Sequence, residues 1–394
     1  MKLQAKSSKA LHVALQKAAR CISRKNSIAI LDNVLLSMKG EDFMFTSSSG
    51  DSQLTIPAPL SLVSGKFSMP LVFPAQDILA LLGTLPDCVV FLDFDESTHG
   101  LVVEYCVGSD DNVKSGKASM TYQDGDEFPM MRVPTEDVTH IALPATSLLP
   151  VVNQSSHFIV ADNLRPQMAS LLIDVSEDLS QVTFASACAQ TLMRAIVPND
   201  PQRGGFDFYR GGNARRVMVH SQHLRVLSVF EGCELIDMET DGNNIHFSAD
   251  GMEFICKLVD GTYPNVDSVI PKTPPYFIMF DKGEILSVVK RVSLFGSESS
   301  NAIELTKNGM FLNVSARDLD FSTEAEDQVL IADANCEEGF HVCFNSKYLS
   351  DVISVIPTDT VKMCVVDSTR AVVFTTDEPS PRFLTLCMPI LNNY

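Results

Sequence analysis

Three stretches of this chain repeat one pattern, and that repetition limits the possible folds more than any single motif does. Phe73-Pro74-Ala75-Gln76-Asp77-Ile78 runs into Leu81, Leu82, Leu85 and Pro86. Val219-His220-Ser221-Gln222-His223-Leu224 runs into Leu227 and Phe230. Phe344-Asn345-Ser346-Lys347-Tyr348-Leu349 runs into Val352, Ile353, Ile356 and Pro357. Each has the spacing of a short amphipathic helix and leads into alternating β-type sequence, at Val89–Phe94, Glu234–Met238 and Val361–Val366. The anchors at 73, 219 and 344 lie 146 and 125 residues apart. Units of roughly 130 residues are of ordinary domain size and bury their own cores, unlike the repeats of a solenoid.

Two further markers fit the same division. Asp124-Gly125-Asp126-Glu127-Phe128-Pro129 and Asp260-Gly261-Thr262-Tyr263-Pro264 are near copies. Asp-Gly is turn chemistry, because Gly tolerates positive φ, and the prolines that follow cannot continue a helix or a central strand. A longer helical pattern opens each unit, near 8–22, 144–157 and 281–295, and short strands follow, as at 33–38 with 42–46 and 169–175 with 181–185. The expected fold is α+β: three repeated domains at 1–135, 136–273 and 274–394, each with two helices packed on antiparallel sheets of about eight short strands in all.

Composition narrows the function. No apolar run reaches the length of a membrane span and the N-terminus lacks an apolar signal core, so a soluble cytoplasmic protein is expected. The ten cysteines form no CxxC pair, and Cys88, Cys106, Cys256, Cys343, Cys364 and Cys387 fall in apolar patterns that read as buried, reduced thiols. A net charge of −19 opposes wholesale coating by nucleic acid. Yet residues 1–31 hold seven Lys or Arg and no acid. At 100° per residue, Lys9, Gln16, Lys17, Arg20 and Arg24 share one stripe of the first helix, opposite Leu11, Leu15, Ala18 and Ile22. Arg203, Arg210, Arg215 and Arg216 precede the helix carrying His220 and His223, and Lys290-Arg291 lies on the first helix of the third repeat. One basic face is an ordinary solvated surface. Basic stretches in all three repeats of an acidic protein point instead to nucleic acid held at one surface.

Sharper chemistry finds little support. His220 and His223 have helical spacing but no acidic or cysteine neighbour in sequence, so facing DNA or solvent explains them better than a metal does. Gly204-Gly205 and Gly211-Gly212 flank a segment without the lysine-serine pattern of a P-loop, which reads as a flexible basic insertion. No nucleophile motif appears, and no catalytic residue, metal or cofactor is expected.

Five motifs in order carry a resemblance over essentially the whole chain. They are Ile30-Leu31-Asp32-Asn33-Val34-Leu35-Leu36, Asp162-Asn163-Leu164-Arg165-Pro166, Leu258-Val259-Asp260-Gly261-Thr262-Tyr263-Pro264, Phe344–Val352 and Cys387-Met388-Pro389-Ile390. On these the chain resembles the bacterial DNA polymerase III beta subunit, the replicative sliding clamp. The resemblance implies a ring of two head-to-tail subunits around duplex DNA, contacting phosphates without sequence readout and doing no chemistry. Lys9, Lys17, Arg20, Arg24, Lys25, Arg215, Arg216 and Lys290 would face the DNA. The ring joint would set Ala118 and Met120 against Leu294 and Phe295, with Ala118 standing where a larger apolar side chain is common.

The resemblance also implies a cleft between the second and third domains, where a polymerase and a clamp loader insert short peptides. Its walls would be Met168, Thr191, Leu192, Pro264, Val269, Ala371, Leu386, Met388, Pro389 and Ile390. The chain departs from the family there. Ser186-Ala187-Cys188-Ala189-Gln190-Thr191-Leu192 replaces the usual Ala-Thr-Asp-Gly-His-Arg-Leu, Ser268 replaces an arginine, and Leu391–Tyr394 continue past the usual end. These changes imply a divergent clamp with altered peptide preference. The competing class is an enzyme or carbohydrate-handling protein built of repeated β-rich domains.

Overall fold

The computed structural model describes residues 1–394 apart from 24, 25, 27, 108–113, 136, 161, 163, 200–207, 210–213, 379–381 and 391–394, with backbone alone at 208–209. Arg24, Lys25, Arg203, Arg210, both glycine pairs and Leu391–Tyr394 thus lie outside the described residues.

One order of elements recurs: strand, helix, three strands, strand, helix, three strands. The first pass is β1 (Lys2–Ala5), α1 (Ser8–Ala18), β2 (Val34–Lys39), β3 (Asp42–Ser48), β4 (Ser52–Pro57), β5 (Ser61–Ser64), β6 (Leu71–Phe73), α2 (Ala75–Thr84), β7 (Val90–Asp95), β8 (Gly100–Val107), β9 (Lys114–Thr121) and β10 (Gln123–Asp124), with β5 and β10 as additions. The second is β11 (Thr139–Pro144), α3 (Ala145–Ser155), β12 (Ser170–Val175), β13 (Gln181–Ala187), β14 (Thr191–Pro198), an added β15 (Phe208–Tyr209), β16 (Arg216–His220), α4 (Ser221–Leu224), β17 (Leu235–Thr240), β18 (Asn244–Ala249) and β19 (Met252–Lys257). The third is β20 (Tyr276–Asp281), α5 (Lys282–Val292), β21 (Ala302–Asn308), β22 (Phe311–Asp318), β23 (Thr323–Ala334), β24 (His341–Asn345), α6 (Ser346–Ser354), β25 (Thr360–Val365), β26 (Val372–Thr375) and β27 (Phe383–Cys387). The three sequence anchors are strand-to-helix junctions: β6 into α2, β16 into α4 and β24 into α6.

Local chemistry explains the helix starts. Ser7 accepts from the Ala10 N–H, Asp281 from Glu284, and Asn345 from Lys347 and Tyr348, each satisfying amides that the first turn leaves free. Apolar stripes then dock the helices: Leu11, Leu15 and Ala18 on α1, Ile285, Val288, Val289 and Val292 on α5, and Leu349, Val352 and Ile353 on α6. Full burial of a Leu, Ile or Val side chain contributes about 1.5–3 kcal/mol. The middle repeat differs, because α4 is one turn that gives way to a 3-10 segment at Arg225–Phe230. Val226 with Val229, and Leu227 with Phe230, are three residues apart, so a three-residue turn aligns each buried pair.

The chain forms two compact units. Unit 1 (Met1–Thr146, Phe206–Ala214, Arg225–Leu258) contains a five-stranded sheet, β5-β1-β7-β8-β9, and a ten-stranded sheet, β10-β6-β2-β3-β4-β19-β18-β17-β11-β15. Unit 2 (Ser147–Gly205, Arg215–Leu224, Val259–Tyr394) contains a twelve-stranded sheet, β16-β12-β13-β14-β27-β26-β25-β20-β23-β22-β21-β24. The sheets run through the expected domain borders. Leu54 of β4 pairs with Phe254 of β19, and Leu192 of β14 with Leu386 of β27. An unpaired strand edge exposes a row of amides and carbonyls, and these two pairings close such edges between repeats.

Some local expectations need correction or refinement. Gly261 has the positive φ foreseen for it, +120°. Gly125 does not; a Cβ there would lie 2.5 Å from Leu35 Cδ1 and 2.8 Å from the Pro70 backbone, so close approach requires the glycine. Cys106 is exposed rather than buried, because β8 turns Leu101 and Val103 inward and Cys106 falls on the other face, while Cys88 and Cys364 are only partly buried. His223 is buried, not turned to DNA or solvent.

Candidate functional site

Of the expected cleft residues, Thr191, Leu192 and Leu386 meet where β14 pairs with β27. Thr191 lies opposite Cys387 and Leu192 opposite Leu386, which in turn faces Val373 on β26. Leu192, Ala371 and Leu386 join one apolar cluster with Ala187, Tyr263 and Val266. This cluster forms a buried floor, whereas Met388 and Val269 are 38% and 52% exposed. Pro264 is exposed, and Met168, Pro389 and Ile390 are half-buried.

The replaced segment still builds a tight hairpin. The Cys188 amide donates to the Thr191 carbonyl at 2.9 Å, and their side chains meet at 3.1 Å. Neither Ala189 nor Gln190 has positive φ, so this turn has no need of the family's glycine. The Gln190 carbonyl accepts from the Met388 amide at 2.8 Å, which ties the C-terminal segment to the hairpin, and the Ile390 amide donates to Cys343.

Sequence reasoning missed two supports. Tyr263, quoted only as part of a motif, is 2% exposed within the floor, and burial pushes its phenol up to about 12. Arg194 Nη1 donates to Asp267 Oδ1 at 2.7 Å, clamping the 3-10 turn Val266–Ser268 onto β14. Beyond that ion pair, the same sheet face borders a groove of about 820 Å³ under residues 267–274. An aromatic beside Pro264 was the available signal for Tyr263; nothing local links Arg194 to Asp267.

The basic residues differ in how they are held. In unit 1, Lys9 is exposed on α1, Lys17 lies in its last turn and Arg20 in the 3-10 turn Ala19–Cys21. Lys17 Nζ donates to the Val229 carbonyl at 3.3 Å and Arg20 Nη1 to Ser228 Oγ. Those acceptors are neutral, and neither cation forms an ion pair with a described acid. In unit 2, Arg215 and Arg216 belong to the edge strand β16 and its entry rather than to a helix. Arg216 lies 3.7 Å from Asp174, and Arg215 lies 3.7 Å from Glu177. Burial pushes the Asp174 carboxyl up, against the pull of Arg216. Lys290 is exposed on α5 and forms no ion pair with a described residue, whereas Arg291 binds Asp327 at 2.6 Å. Desolvation lowers the His220 pKa, so it is a poor cation at neutral pH. His220 and His223 stack edge to face at 6.3 Å, and no metal-ligating cluster of three occurs among the described residues.

The expected joint residues sit beside open strand edges. Ala118 and Met120 are half-buried on β9, which pairs only with β8 among the described residues. Leu294 and Phe295 are 79% and 48% exposed in the turn after α5. The adjoining strand β23 pairs with β22 along Thr323–Leu330 and meets β20 only from Ile331 onward.

Eight strands and two helices repeated three times define a clamp-type fold. Residues 1–131 match the DNA polymerase III beta subunit, N-terminal domain, and residues 267–390 match its C-terminal domain. The chain belongs to the DNA polymerase III beta-subunit family, the sliding clamps of DNA replication. The beta sliding clamp of Streptococcus pneumoniae is 23% identical over 395 residues, covering 96% of this chain and 97% of the relative. That of Staphylococcus aureus is 23% identical over 361 residues, covering 89% of each. The crystal structure of the polymerase beta subunit of Streptococcus pyogenes superposes with a TM-score of 0.84 at 18% identity, covering 100% of both chains. A sliding clamp from Pseudomonas aeruginosa, crystallised with griselimycin, gives 0.83 at 19% identity, also covering 100% of both. No described helix is long and apolar enough to cross a membrane.

Proposed function

We propose that the chain is a non-catalytic processivity factor of the cytoplasm. Two copies join head to tail around duplex DNA, without sequence preference, and hold a polymerase or a clamp loader by a short peptide in the cleft. Tethering raises the effective concentration of the polymerase at the primer end with no chemistry by the clamp itself. The division 1–135, 136–273 and 274–394 belongs to this reading, since both borders fall in irregular chain, between β10 and β11 and between β19 and β20.

The observation that carries the proposal is a pair of unlike open edges. β9 presents Lys114 and Lys117 and no acid, whereas Thr323–Leu330 of β23 presents Glu324, Glu326 and Asp327 and no base of its own, Glu324 and Asp327 being paired with Arg317 and Arg291. Strand edges of opposite charge on one chain favour pairing with a second copy, and a head-to-tail contact that closes makes a ring. Leu294 and Phe295 beside the acidic edge supply apolar area for Ala118 and Met120. The small Ala118 side chain weakens that contact by about 1–2 kcal/mol relative to a larger apolar residue.

The DNA contact is electrostatic, and Lys17 and Arg20 carry it in unit 1. Lys17→Gln with Arg20→Gln should weaken equilibrium binding equally on every duplex sequence and lower the slope of log K against log salt by about 1 per lost phosphate contact. A loss confined to some sequences would count against this reading. The check is fluorescence anisotropy on several duplexes across a salt series.

A further inference from the structure

The groove of about 820 Å³ beside the cleft contains polar groups that the fold leaves unsatisfied. Thr376 is 4% exposed, and its hydroxyl has no hydrogen-bond partner among the described residues. Arg194 Nε is also buried without an acceptor, although Nη1 of the same guanidinium reaches Asp267. Both residues line the groove. Native folds rarely keep such groups unpaired unless something else completes them.

Charge points to what completes them. Arg194, Lys272, Lys362 and Arg382 line the groove against Asp267 and Glu378, a positive excess in a chain of net charge −19. Lys362 is paired with Asp377 at 2.8 Å, but Lys272 and Arg382 form no ion pair with a described residue. Guanidinium and ammonium groups only donate, and a carboxylate only accepts. A phosphate-rich polyanion fits poorly, because Asp267 and Glu378 stand on the rim and the walls include Ile196, Ile270 and Leu384. An extended peptide with one or two acids satisfies both features.

The groove is continuous with the cleft. Residues 192, 194 and 196 alternate onto one face of β14, as do 384 and 386 on β27. Ile270, Val373, Leu384 and Cys364 line the groove and also pack in the cluster around Leu192 and Leu386. We infer that the groove is a second station of the cleft, taking an acidic side chain or terminal carboxylate beside the apolar anchors of a partner peptide. This inference rests on the cleft reading above.

The test uses the full chain and labelled peptides sharing a Leu-Phe anchor pair, flanked on one side by Asp-Glu or by Asn-Gln and made in both orders. In fluorescence polarisation at low salt, one acidic peptide should bind about tenfold tighter than its amide twin, an advantage that added salt erodes. Lys272→Gln with Arg382→Gln, both on exposed residues, should cut the advantage below about twofold and leave the amide peptide unchanged. Thr376→Val should also reduce it. Equal binding of acidic and amide peptides, or a preference indifferent to Lys272 and Arg382, would overturn the inference and leave the cleft intact. If no peptide binds at all, both readings fail.

Discussion

Replacing Leu192 with aspartate should cost unit 2 about 3–5 kcal/mol and lower its melting temperature by about 10 °C. Leu192 is 3% exposed in a cluster with Tyr263, Ala371 and Leu386, so a carboxylate there is desolvated without a partner. Loss of polymerase stimulation in that variant would accordingly report unfolding and peptide binding together. Met388→Ala with Val269→Ser separates them, because both side chains are exposed and lie outside the buried cluster. That pair should weaken peptide or polymerase binding about tenfold with an unchanged melting curve, as expected of anchor contacts. Deleting 388–394 removes the amides that bond Gln190 and Cys343 but spares β27, so stimulation should be lost while the dimer remains. Normal processive synthesis by the deletion variant would place the partner site elsewhere.

The second large effect belongs to the joint. Lys114→Glu with Lys117→Glu puts acids opposite the Glu324, Glu326 and Asp327 edge of a second copy and should raise the dimer dissociation constant about tenfold to a hundredfold. Glu324→Lys with Glu326→Lys should restore association when combined with the first pair, since attraction returns with the signs exchanged. Glu324 also binds Arg317, and Glu326 accepts from Asn313, so the second pair alone disturbs its own sheet surface slightly. Sedimentation velocity over a concentration series reads both effects. A wild-type chain that stays monomeric at micromolar concentration, or a charge swap that fails to rescue, would remove the proposed joint.

The repeat was legible because its markers are local. Phe73-Pro74, His220-Ser221 and Asn345-Ser346 each join a strand end to a helix start, and a helix start is written in adjacent residues. The merging of sheets across repeats was not legible. Phe254 meets Leu54, and Leu192 meets Leu386, about two hundred residues away in each case, and no short window encodes such a partner. The proposed cleft shows the same split. Leu192, Pro264 and Met388 stood out through motifs, whereas the Arg194–Asp267 clamp and the unsatisfied Thr376 hydroxyl follow only from tertiary packing. Cys106 and His223 were misplaced because a short apolar pattern does not say which face of a strand turns inward, or how deep a one-turn helix sinks.

Encirclement is the central claim, and retention on closed circular duplex tests it most directly. Loaded clamp should co-migrate with a nicked circular plasmid through gel filtration in high salt, where phosphate contacts alone are too weak to hold it. Cutting the plasmid once should release the clamp, because a topological link ends when the duplex gains free ends. Equal retention on circular and linear DNA, or loss from both as salt rises, would contradict a ring around the duplex.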